Sequence, residues 1–427
     1  MQPGRTATPL SERRLAFALL LGAVMCLGMG QTVTFAILPP IGRELGLSER
    51  QVGGIFSTSA LLWVLLSPFW GRLSDRWGRK PVILIGMAGY IVSTAAFTGA
   101  ISFGLAGGAS LGIVYILMVA TRSIYGAIGP GVRVASQAYI VDRTSIADRT
   151  VAIAGMSAAF GLGNVLGPGL GSAISVFGLL APLWAIVVLV TLVAIATILF
   201  LPEKSAPGSA STTRRLPVRD KRVRPFLIYG ITASFAVATP MQASAFYFID
   251  VLGLSIDSAA QFVGVGLSGA AMAALFSQLV LVQRFRLPPW FMMLAGAALI
   301  SIAQLAMAAS SSFGPMVFGL MLNGLGAGMA MPGFTAGASL SVTASEQGAV
   351  AGMTGAVGAA GFSIVPLVNF TLYAYAPELP FLFDAVLMAG MIAFVALNPT
   401  LRRSGRDLPP PETTDTASTT STGPDGT

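Results

Sequence analysis

Residues 71–80 read GRLSDRWGRK and lie between two apolar stretches near 52–71 and 81–102. Arg72, Arg76, Arg79 and Lys80 crowd into these ten positions, with Asp75 as the lone acid among them. Such an acid can bind a cation or a helix N-terminus. Gly71 and Gly78 permit a tight turn and close packing between two helices. A plain basic loop explains the cations. It does not explain an aspartate set among glycines, arginines and Trp77 at this spacing.

The flanking stretches are two of many. The chain has 427 residues, of which 54% are hydrophobic and 10% charged, and its mean hydropathy is +0.78. A soluble domain carries about 25% charged residues, and its surface keeps pace with its size. So much apolar surface must therefore face lipid as well as protein. The 50 glycines fit that reading, because small residues let membrane helices approach closely.

A helix needs roughly 20 mostly apolar residues to cross the hydrocarbon core. Twelve candidates lie near 15–38, 52–71, 81–102, 109–136, 150–173, 179–201, 225–248, 258–282, 290–309, 314–339, 348–373 and 380–398. They are numbered here as helices 1 to 12. They are too long and too uniformly apolar for a membrane barrel. The expected fold is all-α, with twelve transmembrane helices in two pseudo-symmetric six-helix bundles. The expected divisions are a cytoplasmic N-terminal segment (1–14), a first bundle (15–201), a linker (202–224), a second bundle (225–398) and a disordered cytoplasmic tail (399–427).

Charge orients the stack. With the N-terminus inside, the outside loops hold only Arg43 and Arg50, and Arg122 stands within helix 4. Every other Lys and Arg falls in the inside segments, a bias that places both termini in the cytoplasm. The net charge of +8 then serves orientation in the bilayer, with no nucleic acid required. There are no histidines, which removes the commonest metal ligand and acid–base group. Cys26 lies in an apolar run and reads as a buried small hydrophobe. No cofactor, metal or nucleophile motif is expected, so a membrane enzyme or sensor has little support.

The halves repeat. VAIAGM (151–156) precedes Pro168, and AVAGM (349–353) precedes Pro366 at nearly the same distance. Pro130-Gly131 late in helix 4 matches Pro332-Gly333 late in helix 10. Parallel six-helix halves with a site between them are a known transporter plan.

At this point the chain resembles the major facilitator superfamily, on the strength of GRLSDRWGRK. The resemblance implies that Gly71, Asp75, Arg76, Gly78 and Arg79 form a latch in which Asp75 meets the N-terminal end of helix 11 when the cavity opens outward. The equivalent loop of the second half, VQRFRLPP (282–289), lacks the aspartate, so a second latch is expected to be weak or absent. RSIYGAIGPG (122–131) resembles the family's helix-4 pattern. GNVLGPGLGS (163–172) resembles the helix-5 signature of its exporters, including drug/proton antiporters, although Ser172 and Ala154 depart from it. LPE (201–203), FIDVLGLS (248–255) and EQGAVAG (346–352) add smaller matches. These imply proton-coupled efflux of small amphipathic compounds by a monomer. The alternative is an importer or exchanger of a specific metabolite, such as a sugar or organic anion.

Several residues follow as candidates. An arginine at mid-membrane costs about 2.5–3.5 kcal/mol on insertion scales, so Arg122 should face a cavity or a partner. Its blander role is structural, snorkelling or binding carbonyls. Gln31, Gln242 and Asn323 are polar residues on inward-pointing helices, and Phe35, Met241, Phe246 and Met329 could form an adaptable apolar wall. Ordinary helix packing explains each apolar residue equally well. Gly163, Gly167, Pro168 and Gly171 suggest a kinked, tightly packed helix 5. A proton antiporter needs a titratable carboxylate, and helix 1 has none. The nearest acids are Asp142 at the inner end of helix 4, and Asp250 and Asp384 near the outer ends of helices 7 and 12. Asp142 reads better as part of a charge cluster with Asp75, and Asp250 and Asp384 as residues facing water.

Overall fold

A computed structural model of the chain describes residues 10–144, 146–202, 217–343 and 346–404. Among these residues there is no strand. The long helices are helix 1 (Leu10–Leu45), helix 2 (Glu49–Trp77), helix 3 (Arg79–Leu105), helix 4 (Leu111–Ile128 and Pro130–Asp142), helix 5 (Ile146–Ser175) and helix 6 (Ala181–Phe200). Then come helix 7 (Arg224–Asp250), helix 8 (Ile256–Phe276, a π turn at Ser277–Val282 and Gln283–Phe285), helix 9 (Pro289–Ala308), helix 10 (Phe313–Leu340), helix 11 (Gln347–Tyr373) and helix 12 (Leu379–Leu397). Ten of them are long and apolar enough to cross a membrane among the described residues. Helices 5 and 11 occupy the two remaining expected places.

Local chemistry sets the ends. Ser48 caps helix 2 in a capping box with Gln51, which satisfies two otherwise orphan N–H groups. Asn398 caps a short helix, Pro399–Arg403, whose Leu401 is fully buried. The start of the expected disordered tail is thus ordered by one apolar anchor. The rest of the tail from 405, and residues 203–216 of the expected linker, lie outside the described residues. Helix 1 begins before the expected position 15 and runs on through Pro39 and Pro40 to Leu45. Proline there removes the donors for two carbonyls of the preceding turn.

Two further differences concern the opening motif and the repeat. Residues 71–80 are not a loop. Positions 71–77 complete helix 2, Gly78 alone makes the turn at φ 95°, and Arg79 begins helix 3. Gly78 is therefore required by its backbone. Gly71 lies inside helix 2, where a methyl group would make only ordinary contact with Val134, so it takes no part in the turn. The paired Pro-Gly steps also diverge. Helix 4 breaks at Gly129, just before Pro130, whereas helix 10 runs unbroken through Pro332.

Helices 1 to 6 pack mainly among themselves, as do helices 7 to 12. The seam between these sets is made by helix 5 on helix 8, helix 2 on helix 11, and helix 1 on helices 7 and 8. One apolar core fills the first set and crosses the seam to Phe246, Phe370 and Tyr373. A second core lies wholly within the later helices, around Phe226, Phe334 and Met388. Outward faces carry exposed Val188, Leu199, Phe318 and Val386, as lipid contact demands.

Candidate functional site

Arg122 is 2% exposed in the middle of the first set. Its Nη2 donates to Gln31 Oε1 on helix 1 at 3.2 Å. Its guanidinium lies 4.4 Å from the centre of the Tyr125 ring, one turn along helix 4. Tyr125 in turn packs against Tyr90 of helix 3 at 4.9 Å and Trp63 of helix 2 at 5.1 Å. Gly30 makes room for this box, because any side chain there would collide with the Tyr90 hydroxyl. Among the described residues Arg122 makes no ion pair, and its Nε has no partner. The guanidinium neither snorkels nor binds a backbone carbonyl. A π face and an amide oxygen stabilise it in place of a carboxylate.

The other expected cavity residues lie in packing of their own. Phe35 is buried against Phe56, with ring centres 4.7 Å apart. Phe246 is fully buried, packs on Phe370 and Tyr373 of its own set and lies 5.2 Å from the Arg43 guanidinium of helix 1, so it belongs to the seam and forms no open wall. Met241 packs beside the same core. Gln242 is fully buried with both amide atoms unpartnered, and Asn323 is nearly so with a lone Oδ1. Met329 is buried as well.

Charge is concentrated at the two ends. At one end Arg43 pairs with Glu49 and, at 2.6 Å, with Asp250 on helix 7. The Tyr373 hydroxyl of helix 11 donates to the same Asp250 oxygen at 3.0 Å. This group crosses the seam and lies above Phe246. Asp250, expected to face water, is thereby committed to an ion pair. At the other end Arg79 donates to Asp75 at 2.5 Å, to the Ser74 hydroxyl at 2.7 Å and to Asp142 at 3.0 Å. Asp142 thus sits in one cluster with Asp75. The Asp75 side chain is 63% exposed and helix 11 is not its partner here; Arg76 is also exposed.

A second ion pair stands at that same end, at a place the sequence did not suggest. Arg222 grips Glu346, the N-cap of helix 11, with two hydrogen bonds of 3.0 and 3.1 Å. The Arg222 guanidinium, with the Thr343 amide and hydroxyl, holds the Glu346 carboxyl down at about 2, from an ordinary value of 4.5. The same guanidinium holds Asp220 below the usual carboxylate range. No spacing rule brings position 222 to position 346. The aromatic box was also missed, although Tyr125 stands inside the quoted RSIYG stretch.

Helix 5 continues across Pro168. Its glycines are sites of close approach. A side chain at Gly163 would meet the Met25 carbonyl, one at Gly167 would meet Thr32, and Gly171 faces Val33, all on helix 1. On the opposite side, Gly264 of helix 8 lies against Ser172 and the Pro168 carbonyl. Helix 5 is therefore packed between its own set and the other. Asp384, expected near water, is fully buried in helix 12.

A profile described as Major Facilitator Superfamily matches residues 20–366. The chain is 26% identical over 394 residues to Multidrug resistance protein 1 of Bacillus subtilis (strain 168), covering 90% of this chain and 96% of that one. It is 27% identical over 194 residues to Multidrug resistance protein 2 of the same organism. That match spans about half of each, 45% of this chain and 46% of the relative. Among solved structures, a bacterial homologue of the human lysosomal transporter Spinster superposes with a TM-score of 0.69 at 16% identity, covering 93% of this chain and 98% of that one.

Proposed function

The chain belongs to the Major Facilitator Superfamily, and on that premise we propose that it exports small amphipathic compounds by alternating access, driven by a proton gradient. Residues 15–201 and 225–398 are the two bodies that rock, joined by the 202–224 linker, and both termini are cytoplasmic. The chain works as a monomer in a cytoplasmic membrane.

One observation carries this reading. Every named contact across the seam lies toward the Arg43 end: Arg43–Asp250, Phe370 against Gly53, and Ser172 with helix 8. At the opposite end Arg79–Asp75 and Arg79–Asp142 stay within the first set, and Arg222–Glu346 joins the linker to helix 11, so none of these ion pairs links the two sets. A seam fastened at one end only is one of the two states that alternating access requires. The basic residues put the unfastened end in the cytoplasm, so this state faces inward. In the outward state Asp75 leaves solvent and meets the start of helix 11. Arg122 and Gln31 line the path between the bodies and touch the substrate. The direction, outward, is supported by the helix-5 signature and by the names of the multidrug relatives.

The test is transport in proteoliposomes with an imposed pH gradient, using ethidium, chloramphenicol and lactose as probes. Movement of ethidium or chloramphenicol that follows the gradient is expected. Movement of lactose alone would turn the reading to a metabolite carrier.

A further inference from the structure

Asp384 is the only acid of helix 12, and it is fully buried. Neither carboxyl oxygen makes a hydrogen bond of normal geometry. The ion pairs of the described residues use Arg43, Arg79 and Arg222, and none reaches it. Helices 7, 9 and 11 pack against helix 12. Helix 9 has no titratable residue. On helix 7, Tyr229 is bonded to the Met293 carbonyl, Tyr247 to the Ser310 carbonyl and Asp250 to Arg43, while Arg224 opens the helix at its far end. On helix 11, Tyr373 is bonded to Asp250, and Glu346 at the N-cap is held by Arg222. Glu378 caps helix 12 itself, and Arg402 and Arg403 follow its other end. No charge faces Asp384.

One side-chain hydroxyl stands beside it, within a polar network that joins helices 7, 9 and 11. The Thr239 hydroxyl of helix 7 lies beside the carboxyl. Thr239 Oγ1 accepts from Asn369 Nδ2 of helix 11 at 2.8 Å, which leaves Asn369 Oδ1 unpartnered. On helix 9, Ser301 donates to the Ala385 carbonyl, and one turn on, Gln304 donates to the Ala236 carbonyl. That carbonyl is the one orphaned by Pro240. Gln304 Oε1 is then left unpartnered too. A buried carboxylate needs several donors, and among the described residues only the Thr239 hydroxyl is placed beside this one, with its proton also directed at the Phe235 carbonyl at 3.3 Å. A carboxylic acid carries no charge to satisfy and brings its own O–H donor. Burial without a cation penalises the charged form in the same direction.

We propose that Asp384 is the site that binds the coupling proton. Carboxylate and proton combine to one carboxylic acid in the sealed state, and the proton leaves as the same O–H bond breaks when water reaches the site. The proposal rests on reading the chain as a gradient-driven carrier. Protonation is linked to the seam because the two polar neighbours sit on moving helices. Asn369 precedes Phe370, which fills the space beside Gly53 of helix 2, and helix 7 carries Asp250 to Arg43. The cation is a proton rather than sodium. A hard metal cation demands several converging oxygens, and among the described residues only the Thr239 hydroxyl is placed beside the carboxyl.

Infrared difference spectra of the purified full chain in heavy water, taken between acid and alkaline pH, test this directly. The wild type should show a protonated-carboxyl band that disappears as pH rises, and Asp384→Asn should lack it. A band unchanged in the variant, or no such band in the wild type, overturns the proposal. Should Asp384→Asn fail to yield monodisperse protein, Asp384→Glu replaces it; a shifted band supports the proposal and an unshifted band overturns it. In proteoliposomes the ratio of ethidium uptake with and without the pH gradient should fall about tenfold in Asp384→Asn, within the usual range of coupling between linked sites. Retention of that ratio, or its reproduction by a sodium gradient, also overturns the proposal. If wild-type protein moves no probe, the export reading fails, and the spectra still decide the proton site.

Discussion

Arg122 and Asp384 are buried charged residues of the membrane-spanning core, one in each half, with opposite surroundings. Arg122 meets the Gln31 amide oxygen and the electron-rich face of Tyr125. Both favour a cation, and neither carries a charge of its own. Asp384 meets the Thr239 hydroxyl and, among the described residues, no cation, and neither of its oxygens makes a hydrogen bond of normal geometry. The first half therefore holds its buried charge with neutral partners. The second half leaves its buried acid without the donors a carboxylate needs. The proposed function asks for a fixed charge to orient a substrate and a variable charge to exchange a proton, and those two demands call for different neighbours.

The largest effect should come from breaking the first side of that contrast. Arg122→Ala should lower ethidium transport about a hundredfold, since a hydrogen bond to a charged group is worth about 1.5–3 kcal/mol. Protein yield and thermal unfolding should stay near wild type. Unchanged transport would remove Arg122 from the path. Next in size is the contrast between the two matching turns, GRLSDRWGRK and VQRFRLPP, of which only the first carries an acid. Asp75→Asn should slow turnover about tenfold with little change in KM, because it acts on one state of the cycle. A large rise in KM at normal turnover would count against the latch.

The sequence carried the fold further than the site. Long apolar runs suffice for an all-α membrane fold, because lipid forbids unpaired backbone. The turn at Gly78 was legible, since a positive φ leaves few choices of residue. Gly71 misled, because a glycine inside a helix reads the same whether or not a neighbour presses on it. Gln31 and Arg122 could be paired by type, a cation with a polar residue on a facing helix. Phe246 could not be assigned, because burial in a seam and exposure to a cavity leave the same apolar residue in the chain. Asp384 was read as facing water from its place near a helix end. What buries it is the packing of helices 7, 9 and 11, and helix depth alone does not encode that. The Arg222–Glu346 pair joins positions 124 apart, and no local rule reaches so far.

Smaller effects should separate the two ends. Arg43 and Asp250 close the seam at partly exposed positions, where a pair contributes about 0.2–1 kcal/mol. Arg43→Gln should shift the closed population about threefold. Spin labels at Arg50→Cys and Val251→Cys in a Cys26→Ala background would report the widening, and raised salt should mimic it in the wild type. A seam that stays shut would give the closure to Phe370 against Gly53 instead. The smallest effect should be at Glu346. Its folded-state value is depressed to about 2 by Arg222 and Thr343. The stability it contributes is therefore complete above its ordinary value of 4.5 and is lost only as pH falls through about 2. Glu346→Gln should leave the shape of the transport–pH profile unchanged around neutrality, and change only its height. A profile that changes shape would place a titration at Glu346 and weaken the contrast between Glu346, held charged by Arg222, and Asp384, left to the proton.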